Sequence, residues 1–532
     1  MIYNPLEEYR DQFRNQHLAN AEAFFQKLVT RSGVNVEQNR ETVRQYHLYA
    51  DQVAKLRKKL NWMRFWRVLM VITLVLIPLV ILKITPKIKA LRAEVEKAAD
   101  KAELLLAQAT EQMRPLNTLF TDMDALQLVE QTLPLLSFAP CFSAEQETDM
   151  QINYDFNAAD GNEQSTLEVL AGHYNENPFL FENKMVHSMG TATYTGTKTI
   201  HWTETYRDSN GKLRTRHRTQ TLHAQVTKPK PYYKTQVILN YCAQGAPDLC
   251  FSRDATHLEQ KSEWEIDWMV KRGEKRLQRK TERALAENDD FMSMSNGDFE
   301  VMFDALDRTD EIQFRTMFTP LAQTNMVDLL RSKEGYGDDF NFWKCKRTNK
   351  ILSQHSQGRP IKLRPEVYAS YAFDEIQKNF LDKNGEFFKA VYFDFAPLWA
   401  VPMYQERPVH SLKPIPDHTR TYSLKECEAL ANAVKPRYVV HPHTKTNAIL
   451  KSTFVHGENG IDETCITAYS YDIEQRVDIV PVLGGDGRIH NVTVPWDLYI
   501  PLETENNFYV ATEEAAKGQD IIARRNGLCI FQ

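Results

Sequence analysis

Cysteine is scarce in this chain and follows no pattern. The seven thiols, at positions 141, 242, 250, 345, 427, 465 and 529 of 532, include no C-x-x-C pair. That absence excludes the common zinc and thioredoxin-type spacings. Cys242 and Cys250 are near enough to bridge, but a disulfide-stapled scaffold would be much denser in cysteine. Scattered thiols suit a reducing compartment. Also missing are a G-x-S-x-G nucleophile elbow and a glycine-rich phosphate loop. The run Gly484-Gly485-Asp486-Gly487 is hairpin-turn chemistry, because no helix follows it to offer N–H groups to phosphate. No catalytic residue and no cofactor is therefore assigned. The net charge is only −5, so any basic surface must be local. Residues 1–60 are polar, which argues against a signal peptide.

What is present is ordinary folded composition: 42% hydrophobic, 25% charged and 11% aromatic. Over this length it predicts two to four domains. One long apolar run interrupts it. Val68–Leu82 carries no charge over fifteen residues (VLMVITLVLIPLVIL). As a helix it covers about 22 Å of a roughly 30 Å hydrocarbon layer. Phe65, Trp66 and Ile84 extend it, and Arg67 and Lys83 have stems long enough to reach the two interfaces. The expectation is one transmembrane helix over residues 65–85, kinked at Pro78, and hence a single-pass protein of the lipid bilayer. The alternative is a buried core helix. Orientation is tied: Lys55, Arg57, Lys58, Lys59, Arg64 and Arg67 on the N-side face Lys83, Lys87, Lys89, Arg92, Lys97 and Lys101 on the C-side. The side occupied by the soluble portion is undetermined.

Residues 1–62 read as a helical hairpin broken at Ser32-Gly33. Past the run, Ile88, Leu91, Val95, Ala98, Ala102, Leu105 and Ala109 step by three and four. That is the 3.5 period of a coiled-coil seam inside a helical region at 87–136. The seam needs a partner, either the next helix (Leu116 to Leu133, turned at Pro115) or the same helix of a second chain through Ile88–Ala109.

After Pro140 the period changes to two. From Thr191 to Thr205 every odd residue is threonine except His201, and Asp208-Ser209-Asn210-Gly211 is a turn. A long β-hairpin at 189–227 follows, within an α+β domain at 145–355. Arg214, Arg216 and Arg218 share a face of that hairpin and could track phosphates, but nucleic acid is the weaker reading beside a solvated strand face. A second α+β domain is expected at 361–532, with a helix near 366–381, then an aromatic strand (FFKAVYFDFAPLWAVPMY), then strands near 448–456, 464–473, 476–483 and 488–495. The fold class is α+β: a helical hairpin, one transmembrane helix, coiled-coil-like helices, then domains with antiparallel sheets.

Two segments could carry binding chemistry. The helix at 263–286 collects Lys271, Arg272, Lys275, Arg276, Arg279, Lys280 and Arg283 on one face, after Trp264 and Trp268. Such a face suits anionic lipid, although a solvated face is the commoner cause. Five histidines, His410, His418, His441, His443 and His456, fall within one stretch. His441 and His443, with His456 as a third ligand, could hold a metal, but Pro442 separates the first two and no metal is assigned.

The segments NGDFEVMFDAL (296–306), TDEIQFRTMFTPLAQTNMVDLL (309–330) and DFNFWKCKRTNKIL (339–352), with the GTATYTGTKTIHWTE strand before them, resemble a bacterial family of membrane-anchored proteins. That family is catalogued only as a domain of unknown function. The resemblance covers about residues 175–355. It implies a bacterial cell membrane and brings no catalytic residue; the family's members often carry two spans, where one is read here. The function expected is a single-pass scaffold that binds an unidentified protein partner. The alternative is a membrane-tethered hydrolase or metal-dependent enzyme using the His410–His456 region.

Overall fold

The computed structural model describes the chain except for residues 73–83, 158–160, 208, 288–292, 306, 410–412, 416–419, 459–460, 512–527 and 532. The described residues form two compact units. One is helical, Asn4–Leu136 with Lys362–Ala396; the other holds the sheets, Met1–Tyr3 with Ser137–Ile361 and Pro397–Gln532.

In the helical unit, α1 (Arg14–Ser32) turns at Gly33 into α2 (Val36–Ile72). Then come α3 (Thr85–Asn117), α4 (Asp124–Thr132) and, much later in the chain, α5 (Phe373–Trp399). All seven seam residues from Ile88 to Ala109 are buried. Within the chain their partner is not the next helix but the preceding one. Leu60 packs with Ile88, Leu91 and Val95, flanked by Leu56, Met63 and Ile84. Farther along, Gln112 donates to the Thr42 hydroxyl at 3.1 Å. Rising numbers in α2 thus meet falling numbers in α3, and the two helices are antiparallel. The seam is covered within the chain, and α3 continues through Pro115 to Asn117 where a turn was expected.

This pairing bears on the expected transmembrane helix at 65–85. Its residues 73–83 lie outside the described residues, and among the described residues no helix is long and apolar enough to cross a membrane. A straight span would also hold the two arms apart, whereas they pack on each other.

The expected aromatic strand is the second half of α5. Phe387, Phe388, Val391, Tyr392 and Phe395 are all buried, as is every residue from Ala390 to Ala400. A helix covered all round has no amphipathic period and reads like a strand. Its rings interleave with the first helices: Tyr9 with Tyr392 and Phe393, and Phe25 with Phe373 and Phe380. That packing draws residues 362–396 away from the second α+β domain expected at 361–532. Asn39 ties the parts together, accepting from the Phe373 N–H at 2.9 Å and donating to the carbonyls of Tyr371 (3.0 Å) and Ala109 (3.4 Å).

In the sheet unit the first sheet has the order β1-β2-β3-β4-β7-β6-β5. Its strands are β1 (Leu136–Phe138), β2 (Gln164–Tyr174), β3 (Asn177–Arg207), β4 (Leu213–Cys242), β5 (Cys250–Arg253), β6 (Phe340–Cys345) and β7 (Thr348–Ser353). β3 and β4 pair antiparallel from Phe179↔Tyr241 to Arg207↔Leu213, a ribbon roughly 100 Å long at about 3.3 Å per residue. The second sheet has the order β11-β10-β9-β8, with β8 (Ile449–Glu458), β9 (Ile461–Leu483), β10 (Ile489–Ala511) and β11 (Leu528–Phe531). Gly484–Gly487 does turn β9 into β10.

The two long hairpins stack. Ile200, Leu222 and Ala224 on one pack against Val492 and Val494 on the other. Gly196 is required there, because a Cβ would lie 2.1 Å from the Thr493 carbonyl oxygen. Lys228 pairs with Asp478 at 2.7 Å and lies over the Trp496 ring. The threonines of the outer face remain exposed.

Cys250 and Cys345 stand directly opposite each other in the β5–β6 ladder, with sulfurs 3.2 Å apart. The Lys346 N–H to Leu249 carbonyl bond beside them makes theirs a non-hydrogen-bonded pair, where side chains come closest. Cys242 is buried, so the Cys242–Cys250 bridge suggested by sequence gives way to this pair. Mild oxidation is expected to link Cys250 to Cys345, raising the denaturation midpoint in wild type and not in Cys345→Ser. Peptide mapping under non-reducing conditions checks the linkage.

His17 provides a pH signature for the helical unit. It stacks on Phe388 at 4.1 Å, and Nε2 lies 3.2 Å from the Asn384 carbonyl. A carbonyl only accepts, so Nε2 carries the hydrogen and Nδ1 faces the Thr132 hydroxyl at 3.1 Å. Burial pulls the ring's pKa down to about 4, against the opposing bond from Asn384. The fold holds the neutral ring, so stability is full above pH 6.5 and lost as pH falls towards 4. The loss approaches roughly 3 kcal/mol at about 1.4 kcal/mol per unit. Denaturant titrations at pH 7 and pH 4.5 should show this slope in wild type and a smaller one in His17→Gln.

Candidate functional site

The strongest concentration of charge in the sheet unit lies on the helix Glu263–Glu287. Its start is set by Ser262 and Glu265: Ser262 N–H and hydroxyl each donate to the Glu265 carboxylate at 2.7 Å. This reciprocal cap satisfies donors that the first turn leaves bare. The helix buries Ile266, Val270, Leu277 and Ala284 and turns its polar side outward. Gly273 lets it close on the short helix Gly297–Phe303, since a Cβ there would lie 2.4 Å from Val301.

Between these elements opens a groove of about 920 Å³. Arg272, Lys275, Arg276, Arg279, Lys280 and Arg283 line it, with Met269, Thr256 and Val301. Six of the seven basic residues singled out by sequence are thus brought together. Lys271 is exposed but does not line the groove. The one carboxylate in the lining is Asp304, paired with Arg276 at 2.7 Å. Burial raises the Asp304 pKa, and Arg276 opposes the rise. Among the described residues no ion pair holds Lys275, Arg279 or Arg283.

The acidic residues of this helix that precede the basic row, Glu263, Glu265 and Asp267, are confined to its first turns and do not line the groove. Arg331 lies 3.2 Å from Asp298 and 3.9 Å from both Glu263 and Asp267. Positive charge therefore accumulates towards the second half of the helix. Trp264 and Trp268 are 74% and 54% exposed and continue the same stripe by spacing, with Arg272 over the Trp268 ring. Such a surface can gather several phosphates at once, through charge and through N–H donors.

The segments that carry the family resemblance have mainly structural work here. Phe299 and Phe303 of the FEVMF stretch pack with Phe314 and Phe318. Glu300 is buried and pairs with Arg308 at 2.6 Å. Asp310 and Thr319 cap the two following helices.

Among the described residues the histidines do not assemble a centre. His410 and His418 lie outside the described residues. His441 and His443 are neighbours on a loop, their ring centroids 5.2 Å apart, and His456 is on β8. Among the described residues no group of three or more His, Cys, Asp or Glu could hold a metal ion. Sequence reasoning missed a cleft of about 300 Å³ that brings His187 and Tyr233 to Tyr469, Tyr471 and Glu503. Its residues come from strands far apart in the chain, and no local signal marks them.

The glycine in the groove wall gives a direct test of this packing. Gly273→Val should cost about 1–3 kcal/mol of stability by overpacking against Val301, and a matching Val301→Ala change should recover part of it in denaturant unfolding. No family model, curated protein or solved structure matches the chain.

Proposed function

We propose that the protein is a membrane-attached, non-enzymatic scaffold whose sheet unit takes phosphate-bearing anionic headgroups into the groove of the helix Glu263–Glu287. The observation that carries this is the meeting of six cations with one carboxylate around a single open groove. The attachment is supported by the uncharged run Val68–Leu82.

The mode of contact follows from burial. Ile266, Val270, Leu277 and Ala284 face the protein interior, so the helix keeps no continuous apolar side to lay into acyl chains as an amphipathic membrane helix does; Trp264 and Trp268 remain exposed at its start. Contact at the groove is with headgroups and is electrostatic. It must weaken steeply with salt, since exposed charges are screened over about 8 Å at physiological ionic strength. The outer faces of the long hairpins remain for a protein partner.

Inositol hexakisphosphate serves as a soluble polyphosphate probe that keeps groove binding separate from membrane attachment. Calorimetry with the full chain should show binding that falls at least tenfold between about 50 and 200 mM salt. Lys275→Glu, Arg279→Glu and Arg283→Glu together should remove it. Equal affinity in wild type and the triple variant would refute the groove.

A further inference from the structure

In the helical unit α2 and α3 are partners along their length. Thr42 is bonded by Gln112 at one end, and Leu60 packs on Ile88, Leu91 and Val95 towards the other. Met63 and Ile84 join that cluster where the arms approach the apolar run. Packed helices lie about 8–10 Å apart, whereas a membrane-crossing helix separates its flanks by about 30 Å of hydrocarbon. Leu60 and Ile88 cannot touch and also sit on opposite faces of a bilayer.

The charges agree with that geometry. Six basic residues before the run against six after it are a tie only when the flanks are on opposite sides. With the arms paired the two sets add. Lys58, Lys59, Arg64, Lys87, Lys89 and Arg92 are all exposed around the same end of the pair. Large aromatic side chains are exposed there as well: Trp62 is 65% and Phe65 62% exposed, and Trp66 meets Trp62 edge-on at 5.7 Å. Aromatic rings beside basic residues, at the border of an uncharged run, are the composition of a membrane–water interface.

We infer that the protein is monotopic. The paired ends of α2 and α3 seat on an anionic phospholipid surface, with Trp62, Phe65 and Trp66 at headgroup depth and both flanks of the apolar run on one side of the bilayer. The inference rests on the membrane attachment proposed above and replaces a single crossing by a same-side anchor. Because basic flanks stay on the cytosolic side, that side holds both units.

The test uses the full chain with one epitope inserted after Gly33, between α1 and α2, and another after Asn210, in the β3–β4 turn. Inside-out and right-side-out bacterial vesicles are treated with protease. Both epitopes should be lost from inside-out vesicles and both kept in right-side-out ones. Loss of one epitope in each orientation would establish a crossing and overturn the inference while leaving attachment intact. Recovery of the protein in the soluble fraction would sink attachment itself, and the anchor with it. Tryptophan emission in vesicles of brominated phosphatidylglycerol supplies a readout without insertions. Quenching should be clearly weaker in Trp62→Phe/Trp66→Phe than in wild type, and equal quenching would overturn the placement of Trp62 and Trp66 at headgroup depth.

Discussion

The antiparallel pairing of α2 and α3 is the constraint from which the helical unit is built. A seam at 3.5-residue spacing, with alanine at three of its seven positions, lets two long helices approach closely. Asn39 then joins the α2–α3 pair to the start of α5 through buried and half-buried hydrogen bonds. Because the Phe373 N–H is buried, removing the amide would leave that donor unsatisfied. The aromatic half of α5 packs onto the opening helices, so a segment nearly 250 residues downstream of α4 completes the same core. The residues that flank the apolar run, Leu60 and Met63 before it and Ile84 and Ile88 after it, are thereby held side by side, which turns a question about topology into one about helix packing.

In the sheet unit the comparable constraint is the mutual covering of two long hairpins. A two-stranded ribbon is marginal in water by itself, and here each hairpin lends the other an apolar face. Gly196 and the Lys228–Asp478–Trp496 contact set how closely they approach. The alternation of threonine with other residues from Thr191 to Thr205 is the trace of this arrangement, with hydroxyls outward and Tyr194, Ile200 and Trp202 turned to the stack.

How far the sequence was legible depended on whether the signal was local. Antiparallel strands, the Gly484–Gly487 turn and the break at Gly33 each follow from residues adjacent in the chain. So does the basic row from Lys271 to Arg283. What its periodicity could not show is that Arg331 takes up the acidic end, that Asp304 enters the lining, and that Ile266, Val270 and Leu277 are committed to the interior. These facts turn a charged helix into a groove and change the expected mode of lipid contact. The aromatic stretch of α5 was misread as a strand for the opposite reason: burial on every side erases the period that distinguishes the two.

By itself the sequence determined the α+β character, the position of the uncharged run, the coiled-coil seam and the absence of any nucleophile or phosphate-loop motif. Each of these is a property of spacing or composition over a few residues. Only the tertiary structure decided which helix the seam meets, which thiol faces Cys250, and which cations share a groove. Pairings across tens to hundreds of residues depend on competing ways to bury the same apolar surface, and that competition is settled by the whole fold.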